Sequence, residues 1–237
     1  MQKIVGIMLL LFSVTLVIPL ITSFIYSDGN HYTFIYSFLI ILGLGSILYL
    51  PNISAKNDIK IKEGFLIVVL FWVILSIASS IPFMLDKQLS LSFADALFES
   101  VSGWTTTGAT IINNLDILSP SILIYRQELQ WLGGMGIVIL ALAILPMLGV
   151  GGMQLYKAES TGPIKDNKIS PRIAETAKSL WSIYLGLTVS CALLYYVAGM
   201  NLFDSIAHSF STIAIGGFST HNLSIGYFNN PMIEIIC

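Results

Sequence analysis

The chain has 237 residues, a formal net charge of −2 and a mean hydropathy of +0.83, with 55% apolar and only 10% charged residues. Since soluble domains carry about 25% charged residues, this composition excludes an ordinary soluble protein and places the chain in a lipid bilayer. The sequence has no basic patch and therefore predicts no nucleic-acid partner.

Five long charge-free runs follow one another along the chain, and each is long enough to cross the hydrocarbon core as a helix of about 20 residues. They cover residues 4–27, 32–55, 64–85, 129–156 and 179–203, and a sixth run starts near Pro231 and is cut off at Cys237. A cleaved signal peptide is the alternative for the first run, although that run is long and lacks a small-x-small cleavage site. The runs predict an all-α polytopic membrane protein.

The distribution of lysine and arginine predicts the orientation of these spans. Nine such residues precede the first span or follow the second and fourth, whereas only Lys87 and Arg126 lie on the other side. The positive-inside rule places the nine, and the N-terminus, in the cytoplasm. The nine are Lys3, Lys56, Lys60, Lys62, Lys157, Lys165, Lys168, Arg172 and Lys178.

Acidic residues show the opposite bias, since seven of them fall on the outer side or in the outer loops. They are Asp28, Asp86, Asp95, Glu99, Asp116, Glu128 and Asp204. This excess predicts a negative outer mouth that concentrates cations. The alternative is that acidic residues are free of the bias that sorts lysine and arginine.

A segment that occurs twice lies between the spans. Residues 93–110 resemble residues 203–220, and an offset of 109 positions aligns residues 94–110 with residues 203–219. The offset superimposes Asp95 on Asp204, Ser100 on Ser209, Ser102 on Ser211, Gly108 on Gly217 and Thr110 on Ser219. Each copy has helix-like apolar spacing, over 92–104 or 203–213, followed by a loop rich in glycine and hydroxyl groups. The pattern predicts two re-entrant pore loops, because irregular backbone survives at membrane depth only where protein buries it or where it lines a watery path.

The chemistry of the two loops favours monovalent cations. Each short helix enters from outside, so its carbonyl end, which carries partial negative charge, points toward the membrane centre. Gly108 and Gly217 permit a positive φ that lets successive carbonyls face one way. The loops carry no acidic ring, as a divalent-cation pore uses, and no basic residue, as an anion pore uses. An ordinary tight turn is the alternative, which the two aligned copies disfavour.

Glu99 and His208 occupy matching positions of the two short helices. They are either hydrogen-bonded polar residues behind the loops or members of a proton relay, because ionisable groups inside a membrane are functional candidates by default. Residues 157–178 form the longest cytoplasmic loop, which is either a solvated linker or the docking site of a regulatory subunit.

Several glycines lie inside the predicted spans. For Gly43 and Gly45, close helix packing through small residues is expected. For Gly133, Gly134 and Gly136, the same packing is expected, and a gating hinge is the alternative.

Two other function classes remain to be considered. A secondary transporter with broken helices is the alternative function, but such folds often use inverted repeats, whereas these repeats run in the same direction. An enzyme is not predicted, because the sequence has no paired aspartates within spans, no H-E-x-x-H and no nucleophile elbow. Cys191 and Cys237 predict neither a disulfide nor a metal site, and no cofactor is expected.

Three motifs resemble those of the Trk/Ktr/HKT superfamily of potassium transporters. The loop Thr105-Thr-Thr-Gly-Ala-Thr110 is similar to the first filter of that family, and Ile215-Gly-Gly-Phe-Ser-Thr-His221 is similar to the second. The stretch Arg126-Gln-Glu-Leu-Gln-Trp-Leu-Gly-Gly-Met-Gly-Ile137 resembles the segment that opens the helix after the first filter. The resemblance covers roughly residues 60–237, and the two leading spans resemble the extra N-terminal helix pair of the bacterial TrkH type.

The resemblance implies a fold and a site. Members of the family fold as four helix–pore-loop–helix repeats around a central pore with pseudo-fourfold symmetry, and filter carbonyls hold potassium. The potassium-binding residues implied by position are Thr106, Thr107, Gly108, Ala109 and Thr110 in the first loop, and Ile215, Gly216, Gly217, Phe218 and Ser219 in the second. The second loop has Ile213-Ala-Ile215 where the first has Trp104-Thr-Thr106, so side-chain oxygens cannot be general ligands.

The resemblance also implies partners and a location. The expected function is potassium uptake across the bacterial cytoplasmic (inner) membrane, by a homodimer that binds nucleotide-binding regulatory subunits of the TrkA/KtrA type on its cytoplasmic side. The chain would divide into an N-terminal helix pair at 1–58, a first repeat at 59–156, a cytoplasmic loop at 157–178 and an unfinished second repeat at 179–237. Four repeats would need a chain of roughly 490 residues, so the chain is expected to be the N-terminal half of a transporter and not to conduct alone.

Overall fold

The computed structural model describes the backbone of residues 1–53, 61–147 and 169–237, and the side chains of residues 1–53, 66–136 and 175–237. Within these residues all regular structure is helical, which confirms the all-α class. The helices are α1 (Gln2–Thr15), α2 (Val17–Tyr26), α3 (His31–Tyr49), α4 (Ile61–Leu85), α5 (Phe93–Trp104), α6 (Pro120–Met147), α7 (Ile169–Val197), α8 (Leu202–Ala214) and α9 (Pro231–Ile236). Short 3-10 helices lie at Leu50–Asn52, Leu115–Ile117 and Ser224–Phe228.

Four segments of the described chain are long and apolar enough to cross a bilayer, and they match the first, second, third and fifth predicted spans. They are Gln2–Tyr26, His31–Asn52, Leu66–Leu85 and Glu175–Val197. The first comprises α1 and α2, which are separated by a break at Leu16. Pro19 accounts for the break, because it lacks the N–H that would bond the carbonyl of the residue four positions earlier.

The N-terminal helix pair packs through two glycines. A Cβ placed on Gly6 of α1 would lie 2.8 Å from the backbone nitrogen of Tyr49, and one on Gly45 of α3 would lie 3.0 Å from the side chain of Leu10. The packing role predicted for Gly45 is confirmed. The same prediction is wrong for Gly43, because no described atom lies within 4 Å of a Cβ there.

The fourth span begins earlier than its charge-free run. Helix α6 starts at Pro120 and includes Arg126 and Glu128, both of which are buried. Arg126, which was counted with Lys87 on the outer side, therefore lies inside the protein, where it pairs with Glu99 at 2.8 Å. The predicted end of this span, at 148–156, lies outside the described residues.

The C-terminal part of the loop predicted at 157–178 is helical in the structure. Helix α7 begins at Ile169, so residues 169–178 are helical. Pro171 falls within the first turn, where its missing N–H removes no intrahelical bond. The rest of the loop, including Lys157, Lys165 and Lys168, lies outside the described residues.

The acidic residues are mostly inside the protein, so the predicted negative mouth needs correction. Asp86, Glu99, Glu128 and Asp204 are buried, and Asp28 is half-buried. The other two of the seven, Asp95 and Asp116, are exposed. A carboxylate inside a protein needs hydrogen bonds or a counter-charge, so the buried acids serve internal contacts and do not form an exposed negative surface.

The two short helices α5 and α8 occupy equivalent places in the fold. α5 packs between α4 and α6, and α8 packs between α6 and α7. The base of α5 lies in the main hydrophobic core, where the Trp104 ring packs against Phe12 and Phe71 and its Nε1 donates to Ser79. Helix α6 contacts both short helices and so joins the two loops that follow them.

Candidate cation-binding site

The two short helices begin in the same way, although their sequences differ. Ser92 caps α5 by accepting a hydrogen bond from the backbone N–H of Asp95, and Asn201 caps α8 by accepting one from that of Asp204. Both caps precede an acid in the first turn, which complements the helix dipole. The opposite, carbonyl ends lead directly into the two loops.

The loop backbones repeat one another bond by bond. Thr106 and Thr107 donate their N–H groups to the carbonyls of Gly103 and Ser102, at 3.0 Å each. Ile215 and Gly216 donate to the carbonyls of Thr212 and Ser211, at 3.0 and 2.8 Å. These four pairs are related by the offset of 109, so the sequence repeat is also a repeat of backbone geometry.

The signs of φ repeat as well. Gly108 and Gly217 have φ of 74° and 84°, which confirms the prediction of positive φ at these glycines. Thr106 and Ile215, two residues earlier, have φ of 53° and 55°. Such values are uncommon in β-branched residues, so the residue types at these two positions do not predict them. Alternation of the sign of φ over three residues is the geometry that turns successive carbonyls toward one side.

The two loops lie directly beside each other. A Cβ placed on Gly108 would lie 2.2 Å from the carbonyl oxygen of Gly216 and 3.4 Å from Cα of Gly217. Because real Cβ contacts do not approach this closely, only glycine fits at Gly108 while the second loop keeps its place.

Three of the ten predicted potassium-binding residues have backbone carbonyls that already accept hydrogen bonds from side chains. The carbonyl of Ala109 accepts from Ser102 Oγ at 2.5 Å, that of Gly216 from Gln130 Nε2 at 2.6 Å, and that of Ser219 from Arg126 at 3.1 Å. Within the described chain, no hydrogen bond reaches the carbonyls of the other seven residues, which are Thr106, Thr107, Gly108, Thr110, Ile215, Gly217 and Phe218. The site thus combines anchored peptide groups with free carbonyl oxygens.

The polar residues on the short helices hold the ends of the loops. The hydroxyl of Thr110 donates to the carboxylate of Glu99 at 2.9 Å, and Ser219 Oγ lies 2.9 Å from His208 Nε2. These two pairs again differ by the offset of 109. The interpretation of Glu99 and His208 as hydrogen-bonded polar residues behind the loops is confirmed.

Within the described chain, two residues of α6 bond the loops, Gln130 the second loop only and Arg126 both, and neither has a site role among the sequence-based predictions. Gln130 donates to the Gly216 carbonyl and accepts from the N–H of Phe218 at 3.1 Å. Arg126, one turn earlier, bonds Glu99, Thr110 and Ser219. Their spacing of four puts them on one helix face. One sequence signal pointed to Arg126: it is a basic residue at the edge of a span, and the preceding short helix carries the acidic Glu99.

The glycines of α6 pack closely, as predicted. A Cβ on Gly133 would lie 2.0 Å from the Trp104 carbonyl oxygen, one on Gly134 2.8 Å from the Tyr184 hydroxyl, and one on Gly136 3.2 Å from the Phe71 ring. These contacts bring α6 against both short helices and support close packing over a hinge.

A polar network links the segments that follow the two loops. His221 Nδ1 lies 2.8 Å from Asp116 Oδ1, and its Nε2 lies 3.1 Å from Asp204 Oδ2. Asn222 adds two bonds to the segment after the first loop: its Nδ2 donates to Asp116 Oδ2, and its Oδ1 accepts from the N–H of Leu115. The hydrogen bond from His221 holds the pKa of Asp116 below its ordinary value.

The spans, the two short helices and their paired loops define a membrane protein of the pore-loop class. The sequence profile of TrkH, described as a cation transport protein, matches residues 30–237. The chain belongs to the TrkH family of cation transport proteins.

Named relatives agree with this assignment. The chain is 56% identical over 235 residues to the Trk system potassium uptake protein TrkH of Halomonas elongata, covering 99% of this chain and 49% of that protein. It is 57% identical over 234 residues to TrkH of Escherichia coli K12, covering 99% and 48%, and 42% identical over 231 residues to TrkG of the same organism, covering 98% and 48%.

A solved structure gives the same result. The crystal structure of the potassium transporter TrkH from Vibrio parahaemolyticus matches with a TM-score of 0.88 and 50% sequence identity, covering 99% of this chain and 47% of that one. The chain therefore spans about half the length of the relatives it matches.

Proposed function

We propose that the chain supplies the first two of four filter segments in a potassium-uptake pore of the bacterial cytoplasmic membrane. The observation that carries the proposal is the shared backbone geometry at Thr106 and Gly108 and at Ile215 and Gly217. Two copies of one loop conformation, side by side, are what a ring of equivalent ion ligands requires. The relatives named above are potassium uptake proteins, which supports potassium as the ion.

The mechanism follows from the loop carbonyls. A ring of carbonyl oxygens replaces the water shell of a cation, and weak multi-site binding lets the ion move on. The free carbonyls of Thr106, Thr107, Gly108, Ile215 and Gly217 are the proposed ligands. The remaining five nominated residues, Ala109, Thr110, Gly216, Phe218 and Ser219, then frame the site through their hydrogen bonds and packing. The carbonyl ends of α5 and α8 add partial negative charge.

A pore needs a complete ring of carbonyl ligands around the ion, and the two loops form only part of such a ring. Ile215 is 88% exposed although it sits in the second loop. We assign that open side to two further repeats of a longer protein, which would complete the ring and cover the polar loop backbone, since exposed peptide groups at membrane depth are costly.

The orientation and partners belong to the same proposal. Lys3 Nζ donates to the carbonyl of Ile53 at 2.7 Å, which brings the N-terminus to the end of the second span that the positive-inside rule places in the cytoplasm. A homodimer and cytoplasmic nucleotide-binding regulatory subunits are carried over from the family resemblance.

Rubidium flux tests this function. A hybrid protein in which residues 1–237 replace the matching half of the Vibrio parahaemolyticus TrkH should, in liposomes, take up rubidium in preference to sodium, and the unmodified Vibrio TrkH is the parallel control. The 237-residue chain alone should give no flux. A folded hybrid that carries no rubidium would contradict the proposal, and robust selective flux by the chain alone would show that shorter chains assemble a pore.

A further inference from the structure

Arg126 is the largest fully buried side chain of the described residues, and it lies between the two loops. Its Nε donates to Glu99 Oε1 at 2.8 Å, and the exposed fraction of both side chains is 0%. Its guanidinium carbon lies 4.3 Å from the centre of the Phe218 ring, at the outer part of the second loop. An arginine in such a place needs every donor satisfied, because a buried charge without partners is costly.

The three guanidinium nitrogens point to three different partners. Nε bonds Glu99 on α5, Nη2 bonds Thr110 Oγ1 at the end of the first loop, and Nη1 bonds the carbonyl of Ser219 at the end of the second. The planar, rigid fork of arginine fixes the angles among these bonds. A lysine ammonium in the same place is a point charge and cannot hold all three in this geometry.

Other bonds at the loop ends stay within one repeat. Glu99 holds Thr110, and His208 holds Ser219, each from the short helix that precedes its own loop. Within the described chain, Gln130 bonds the second loop from α6 but not the first. Of these groups, Arg126 alone bonds the end of each loop.

We propose that Arg126 is a positioning residue that holds the two filter segments at a fixed separation, and that potassium-over-sodium selectivity depends on it. Carbonyl rings discriminate between cations of different size only while the oxygens keep their distances and field. The inference rests on the proposed function and adds to it the residue that sets the spacing between neighbouring segments.

The test uses the full-length hybrid with three changes, R126K, R126Q and the double variant E99Q/R126Q. Selectivity is measured as the ratio of sodium to potassium concentrations that halve rubidium influx. R126K should lower this ratio about tenfold, the effect of losing a hydrogen bond to a charged group. The apparent KM for rubidium should rise more than the maximal rate falls. K87Q, at an exposed basic residue between α4 and α5, is the matched control and should keep the wild-type ratio.

The double variant separates positioning from folding. R126Q leaves Glu99 as a buried charge without its partner and should reduce the amount of assembled protein. E99Q/R126Q removes both charges, so the assembled amount should recover while the selectivity ratio stays low. Wild-type selectivity in assembled R126K or E99Q/R126Q would overturn the inference.

The failure of this inference is distinct from failure of the proposed function. If the unmodified hybrid is selective and the Arg126 variants are equally selective, only the role of Arg126 is wrong. If the unmodified hybrid is folded but shows no selective flux, both proposals are wrong. If R126K does not assemble, the ratio measured in the double variant decides.

Discussion

Thr106 and Ile215, which are 109 positions apart, adopt the same left-handed backbone conformation, with φ of 53° and 55°. A residue of this type held in such a conformation costs on the order of 1–3 kcal/mol. Both are β-branched. In each loop, this residue and the next one donate their N–H groups to carbonyls at the end of the preceding short helix. The repetition shows that the fold imposes the conformation at these positions, whatever the side chain.

Gly108→Ala should disrupt the filter directly, because it places a Cβ between the two loops. The new Cβ would lie 2.2 Å from the Gly216 carbonyl oxygen, and φ is 74°. Overpacking of this kind costs about 1–3 kcal/mol, and the second loop must move. Rubidium influx of the hybrid should fall, or sodium should enter. Gly186→Ala is the control, because a Cβ on Gly186 meets no described atom within 4 Å. Wild-type rates and selectivity in Gly108→Ala would remove the filter assignment.

Gln130→Leu should destabilise the second loop. It leaves the Gly216 carbonyl and the Phe218 N–H unpaired, at about 1–3 kcal/mol for each buried group. The thermal unfolding midpoint of the purified hybrid should drop, together with its rubidium influx.

Gln127→Leu is the matched control for that change. Gln127 is equally buried, one turn away on α6, and its side-chain nitrogen and oxygen have no hydrogen-bond partner within the described chain. Its replacement should be close to neutral. A larger loss in Gln127→Leu than in Gln130→Leu would refute the assignment of these bonds.

Asp28 should contribute to stability at neutral pH. Burial raises its pKa, but hydrogen bonds from Ser23, Ser121 and Asn30 outweigh burial and hold the pKa below its ordinary value. A lowered pKa means that the stabilisation is complete above about pH 4 to 5 and is lost as the pH falls through the folded-state pKa. The unfolding midpoint of the hybrid should therefore fall on acidification by less in Asp28→Asn than in the wild type. The exposed Glu175→Gln should behave like the wild type, and equal acid sensitivity in Asp28→Asn would contradict the account.

The orientation can be measured with single cysteines in a background that carries Cys191→Ser and Cys237→Ser. Ser90→Cys, in the exposed segment between α4 and α5, should react with an impermeant maleimide applied to intact cells. Lys178→Cys, exposed at the start of the α7 span, should react only after the membrane is opened. The reverse pattern would invert the topology.

The elements that could be predicted from the sequence are those with local signals. The pore loops were predicted because the same pattern occurs twice, and Gly108 and Gly217 because glycine is the residue expected at positive φ. Thr106 and Ile215 could not be predicted, since β-branched residues argue against positive φ.

The sequence did not allow prediction of ion pairs and hydrogen bonds between residues far apart in the chain. Arg126 was counted among the outer charges because it precedes the fourth charge-free run, and its pairing with Glu99, 27 positions away, was not predicted. Gln130 likewise bonds Gly216 across 86 positions. Such pairings arise only when α6 packs against both short helices, and the sequence pattern of α6 alone does not contain them.

Anomalous diffraction from rubidium-soaked crystals of the hybrid tests the central claim most directly, since it locates the ion itself. The account predicts a rubidium peak between the two loops, within contact distance of the carbonyls of Thr106, Thr107, Gly108, Ile215 or Gly217, that weakens when potassium is added and persists when sodium is added. Peaks elsewhere in the protein, with none between the loops, would contradict it.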